Sequence, residues 1–126
     1  MYNQLSSLQA FKVAVCFLEH FYYKTSSDDL GSLLGDMQLL EDGSGTWDSA
    51  AWHDWIDALE GKLSVTSYEA FVVTFNFLNA YHTRTSSSSV DIQSLLDEME
   101  TYKIKKTINA TIWQIWMSCT TNVMNQ

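Results

Sequence analysis

Sliding the chain along itself by 60 positions brings Ala10-Phe11 onto Ala70-Phe71, Phe17-Leu18 onto Phe77-Leu78, Phe21 onto Tyr81, Lys24 onto Arg84 and Thr25-Ser26-Ser27 onto Thr85-Ser86-Ser87. After a two-residue insertion in the serine run, Leu30, Leu33, Leu34 and Met37 fall on Ile92, Leu95, Leu96 and Met99. Trp52 and Trp55 then fall on Trp113 and Trp116. Helical periodicity alone does not put two Trp-x-x-Trp pairs in matching places, so the sequence reads as two copies of one unit, about 7–61 and about 67–121.

Each copy reads as three helices. The first runs from about Ser7 to Tyr23, with Leu8, Phe11, Val15, Leu18 and Tyr22 recurring at the three-and-four spacing of one helix face. Ser27 is placed to cap a second helix, with Asp28 and Asp29 at its positive end, and Ser89 and Asp91 repeat the arrangement. A third helix starts at Asp48 and carries Trp52, Trp55, Ile56 and Leu59 on one face, and Asn109 takes the capping place in the second copy. The absence of proline and the presence of only five glycines favour long helices.

A three-helix unit of this size is marginal alone, so the two units are expected to bury their apolar faces against each other with approximate twofold symmetry. The predicted fold is all-α: one single-domain helical bundle, residues 1–126, of two pseudo-symmetric three-helix repeats. The four paired tryptophans are read first as core, since each can bury about 200 Å². No apolar run approaches the roughly 18 residues of a membrane span, and the first residues lack a basic segment leading into an apolar one, so a soluble, cytoplasmic protein is expected. Cys16 and Cys119 have no neighbouring cysteine; they read as two buried reduced thiols, with a disulfide as the open alternative.

Fifteen acids against seven bases give a formal charge of −8, which disfavours a nucleic-acid or anionic-membrane ligand and favours a basic protein partner. The charge is lopsided: through Lys62 the chain carries ten acids and three bases, and the remainder five and four. Asp28, Asp29 and Asp48 sit at helix starts, where anions are favoured, but Asp36, Glu41 and Asp42 lie near the negative end of the second helix. In the second copy Asp97, Glu98 and Glu100 are followed by Lys103, Lys105 and Lys106, whereas the first copy has no such bases. Asp54 and Asp57 lie off the Trp52–Trp55–Ile56–Leu59 stripe and are expected to face water. Asp36, Glu41, Asp42, Asp54 and Asp57 are therefore the candidate partner-binding residues, on a surface made by the second helix, the Leu40–Trp47 loop and the third helix. Gly31 and Gly35, one turn apart, point to close packing of another helix or to a partner approaching bare backbone.

Catalysis finds little support. His20, His53 and His82 belong to no zinc, phosphate-loop or nucleophile motif, and His53-Asp54 are adjacent on a helix and so point apart. Ser86–Ser89 reads as linker or cap, with no base and orienting group beside it. No enzyme, catalytic residue, metal or cofactor is expected.

The stretch Ala10-Phe11 through Phe17-Leu18-Glu19, then Tyr22-Tyr23-Lys24-Thr25-Ser26-Ser27-Asp28-Asp29-Leu30-Gly31-Ser32-Leu33-Leu34-Gly35-Asp36-Met37, and the later Trp52-x-x-Trp55, resemble a small all-helical family of bacterial immunity proteins. Those proteins accompany polymorphic toxins, including contact-dependent growth inhibition systems. The resemblance implies a cytosolic antidote that binds and occludes its cognate toxin domain. The charge reading fits independently, because an acidic protein can compete for the basic surface with which a nuclease grips a polyanion. A nuclease is the preferred target, with a ribonuclease or tRNase the leading version. The alternative is a helical adaptor or structural subunit whose acidic face keeps it soluble.

Overall fold

A computed structural model describes residues 4–85, 88–107 and 109–126; Ser86 and Ser87, which the offset aligns with Ser26 and Ser27, fall outside them. The described residues form six helices and a two-stranded ribbon in the order β1 (Leu5–Ser6), α1 (Ser7–Thr25), α2 (Asp28–Asp36), α3 (Ser49–Leu59), β2 (Ser64–Val65), α4 (Ser67–Thr85), α5 (Val90–Lys105) and α6 (Thr111–Met124). The fold is predominantly helical, as the composition implied. The ribbon was not anticipated: β1 and β2 are antiparallel, with Leu5 opposite Val65 and Ser6 opposite Ser64. Leu5 and Val65 are both fully buried, so two residues per strand suffice to close the base of the core.

Local chemistry accounts for most helix starts. Ser6 and Gln9 form a reciprocal capping box on α1, Ser27 accepts from Leu30 N at the head of α2, and Ser89 accepts from Ile92 N at the head of α5. Asp48 caps α3 through Ala50 N. The expected cap at Asn109 is corrected: Asn109 lies in the preceding turn, and Ala110 occupies the cap position of α6 without a side-chain bond. The expected face of α1 holds at Phe11 and Leu18, which are fully buried, but it is too narrow. Leu8 is 36% exposed and Val15 only half-buried, whereas Ala10, Ala14 and Phe17 are also fully buried, because α1 packs on α2, α4 and α6 together and needs more than one apolar stripe.

The third helix of each half crosses to the long helix of the other: α3 packs chiefly on α4, and α6 chiefly on α1. Trp55 and Trp116, both fully buried, make that crossing. Trp55 lies edge-on to Phe11 of α1 at 5.2 Å and to Phe77 of α4 at 5.8 Å. Trp116 lies edge-on to Phe71 of α4 at 5.4 Å and to Phe17 of α1 at 5.2 Å. Phe11 and Phe71, and Phe17 and Phe77, are the pairs that the 60-residue offset aligns. Trp52 on Phe11 at 5.5 Å and Trp113 on Phe71 at 5.7 Å extend the correspondence, although both rings are only partly buried. Edge-to-face pairs contribute about 0.5–1.5 kcal/mol beyond their area, so the aromatic layer adds direction to the hydrophobic core. Ile56, placed with the tryptophans by its spacing, is instead 44% exposed.

The reading of two reduced thiols is corrected as well. Cys16 of α1 and Cys119 of α6 form a disulfide with Cα atoms 5.7 Å apart, made possible because α6 returns alongside α1. A link across 103 residues restricts the unfolded chain strongly, by about 4–5 kcal/mol in the loop-entropy account. Gly31 has a packing reason: a Cβ there would stand 2.9 Å from Cε1 of Tyr22 on α1. Gly35 has open space around it, and nothing in the structure explains it.

Trp55→Ala and Trp116→Ala should each lose about 3–5 kcal/mol of stability in urea unfolding. Substitution by Phe should hurt Trp116 more, because its Nε1 donates to the carbonyl oxygen and Oγ of Ser67 at 3.0 and 3.1 Å, whereas Nε1 of Trp55 is buried without a partner among the described residues. Losses below about 1 kcal/mol for the alanine variants would contradict this account of the core.

Candidate functional site

The two halves differ most after Met37 and Met99. In the second half α5 runs on to Lys105, whereas α2 stops at Asp36 and the chain turns out into a hairpin around Asp42-Gly43-Ser44-Gly45, poor helix formers that stand where the second half has Ile104-Lys105-Lys106-Thr107. The hairpin is closed at its base by Asp48 N donating to Asp36 O and Trp47 N donating to Gln38 O at 2.7 Å, with Leu39 bridged to Thr46 above them. Its tip turns through Gly43, whose φ of +70° suits a residue without a side chain. Leu40 N donates to Gly45 O, and Gly43 N donates back to Leu40 O. Gly45 is buried against the ring of Trp52, which seats the hairpin on α3.

The tip carries Glu41 and Asp42, both exposed. Asp42 Oδ1 accepts from Ser44 Oγ at 2.7 Å and Ser44 N at 3.0 Å, and these bonds to the charged form hold its carboxyl below the ordinary value. Asp57, on α3, is likewise exposed. These three stand where the sequence placed them, in water.

Asp36 and Asp54 do not. Asp36 accepts from the Tyr81 hydroxyl at 2.9 Å, and Asp54 accepts from Nε and Nη2 of Arg84 at 3.1 and 2.9 Å. Both donors lie one turn apart on α4, and the Arg84 guanidinium sits 5.5 Å from the centre of the Tyr81 ring. The carboxylate at the negative end of α2 is therefore compensated by a phenol from another helix, and the expected water-facing Asp54 is half-buried in an ion pair. The sequence signal lay in the repeat itself: the offset aligns Tyr81 with Phe21, so the hydroxyl is the difference between the copies. In the second half the compensation follows the sequence more closely, with Lys103 Nζ 3.3 Å from Glu100.

Trp47 is the residue the charge-based reading passed over. It ends the hairpin and is 76% exposed, while Leu40 beside the acids is 40% exposed. It is the one tryptophan of five with no counterpart in the other half, which was a signal available from the repeat. An exposed tryptophan on an acidic hairpin can offer a partner a large rigid apolar surface inside a negative field. Among the described residues no group of three or more His, Cys, Asp or Glu side chains is arranged to hold a metal ion, and no helix is long and apolar enough to cross a membrane. His53 and Asp54 do not converge on a site, since Asp54 is engaged by Arg84.

Compared with family models, with curated proteins and with solved structures, the chain matches none.

Burial, and secondly the bond to Asp36, raise the Tyr81 phenol from 10.0 to about 12. Because the folded value is the higher one, its contribution to stability is complete below about pH 10 and is lost as pH rises toward 12. Absorbance titration of the folded protein should show a tyrosine component centred at about pH 12 that Tyr81→Phe removes. An unchanged titration in the variant would contradict the assignment.

Proposed function

We propose that this chain is a toxin-neutralising immunity protein that binds a basic toxin domain, a nuclease by preference and a ribonuclease or tRNase first among these. The observation that carries the reading is the hairpin that, among the described residues, occurs in the first half alone, where exposed Trp47 stands with Glu41 and Asp42. Interfaces concentrate binding energy in a few aromatic anchors, and surrounding charges of one sign steer an oppositely charged partner. Glu41, Asp42 and Asp57 act as the steering carboxylates in this reading. Asp36 and Asp54 act through α4, by bracing the base of the hairpin and α3.

In the same reading the six helices are one domain of two pseudo-symmetric three-helix repeats, supported by the corresponding aromatic pairs around Trp55 and Trp116. A cytoplasmic place of action belongs to it too, and the Cys16–Cys119 disulfide counts against that part, because disulfides persist mainly in oxidising compartments. Inhibition is by occlusion, with no chemistry asked of this chain. A helical adaptor with an acidic solubilising surface is the second reading, favoured by the internal engagement of Asp36 and Asp54.

Pull-down of the full chain from its native host should retrieve a basic nuclease domain, and coexpression with that domain should rescue growth and yield a stable complex. Replacing Glu41, Asp42 and Asp57 together by their amides should slow association about tenfold at low salt and flatten its salt dependence. Trp47→Ala should mainly speed dissociation. Full rescue with unaltered kinetics from the combined variant would contradict the proposed surface, and absence of any complex would contradict the function.

A further inference from the structure

A groove of about 620 Å³ opens between α1, the end of α2 and the end of α6, on the side of α1 that carries Lys12, Val15 and Glu19. Its floor is apolar, with Leu34, Met37 and Leu39 facing Val15 and Val123. Lys12 and Glu19 are both half-buried on its wall, and among the described residues neither has an ion-pair partner. Seven residues apart on one helix face, they stand about 10 Å from each other along the axis. A small-molecule site would converge polar groups on one point. Two charges of opposite sign, without ion-pair partners among the described residues and two turns apart beside an apolar floor, are complementary to an amphipathic segment laid along α1.

The other half shows what fills the corresponding space. The offset aligns Val15 with Phe75, and over Phe75 lie the last turns of α5, with Lys103 Nζ 3.9 Å from the centre of the ring. Because α2 ends at Asp36, the first half has no such turns and the groove stays open.

We propose that this groove receives an amphipathic helix of the protein partner, apolar face down, with a basic side chain opposite Glu19 and an acidic one opposite Lys12. Helix-in-groove docking seats the apolar face of an amphipathic helix on such a floor, and the flanking charges set its direction. The proposal rests on the reading of the chain as a toxin-binding protein, and places a second contact beside the hairpin.

The photo-cross-linking residue benzoylphenylalanine, placed singly at Gln38 or Asn122 on the groove rim, at Trp47 on the hairpin, or at Gln114 as a control, tests it in the full chain coexpressed with the basic toxin domain that pull-down of this chain retrieves. The expected result is a cross-link from Gln38 or Asn122 to a helical segment of the toxin domain carrying a base and an acid two turns apart, with the yield falling about tenfold in Glu19→Lys. Cross-links from Trp47 alone would overturn the groove and leave the proposed function standing. A rim cross-link to a second copy, to the chain itself or to a non-helical segment would also overturn it, as would a yield unmoved by Glu19→Lys. Cross-links from none of the positions, with no complex formed, would remove the functional reading together with the groove.

Discussion

The indole rings of Trp55 and Trp116 each touch phenylalanines from both long helices, and these contacts tie α3 and α6 to α1 and α4. Trp55 joins Phe11 of α1 to Phe77 of α4, and Trp116 joins Phe71 of α4 to Phe17 of α1. Each third helix is thereby held against the long helix of the other half, and α1 and α4 are held against each other. One set of buried aromatics serves both halves, which answers the difficulty that about sixty residues bury too little surface to be stable alone. The same crossing brings α6 beside α1, which lets Cys16 and Cys119 meet.

With the interior shared, differences between the halves collect at the surface. The sharpest is the early end of α2, which opens the space beside Met37 and sends the chain into the Gln38–Trp47 hairpin. Tyr81 and Arg84 of α4 hold Asp36 and Asp54 on either side of that departure, so the hairpin springs from a fixed base. A rigid base lowers the entropy lost when a loop is recognised. The arrangement gives the proposed immunity function a physical form: a rigid helical body, an acidic hairpin with an exposed tryptophan, and a groove next to it.

How much was legible in the sequence depended on how local the deciding interaction was. The caps at Ser27, Asp48 and Ser89 could be read because a cap is settled within four residues, and the buried Trp55 and Trp116 because the repeat marked them. Asn109 misled because a shift of one residue in the turn moves the cap to Ala110. The partners of Asp36 and Asp54 come from a helix 30 or more residues away, and nothing near those carboxylates announces a phenol or a guanidinium. The disulfide was hidden for the same reason, since the meeting of α1 and α6 is a product of packing. Of the five proposed partner-binding residues, Glu41, Asp42 and Asp57 are on open surface; Trp47, a sixth, was marked in the sequence by its lack of a counterpart, and its exposure is seen in the structure.

The central claim is that the two tryptophans do the same work at corresponding places. Double-mutant cycles on the pairs Trp55 with Phe77 and Trp116 with Phe17, each residue replaced by leucine, measure it directly by urea unfolding. The account predicts coupling of about 0.5–1.5 kcal/mol in both cycles, and similar values in the two. Coupling near zero in either cycle, or confined to one of them, would contradict it.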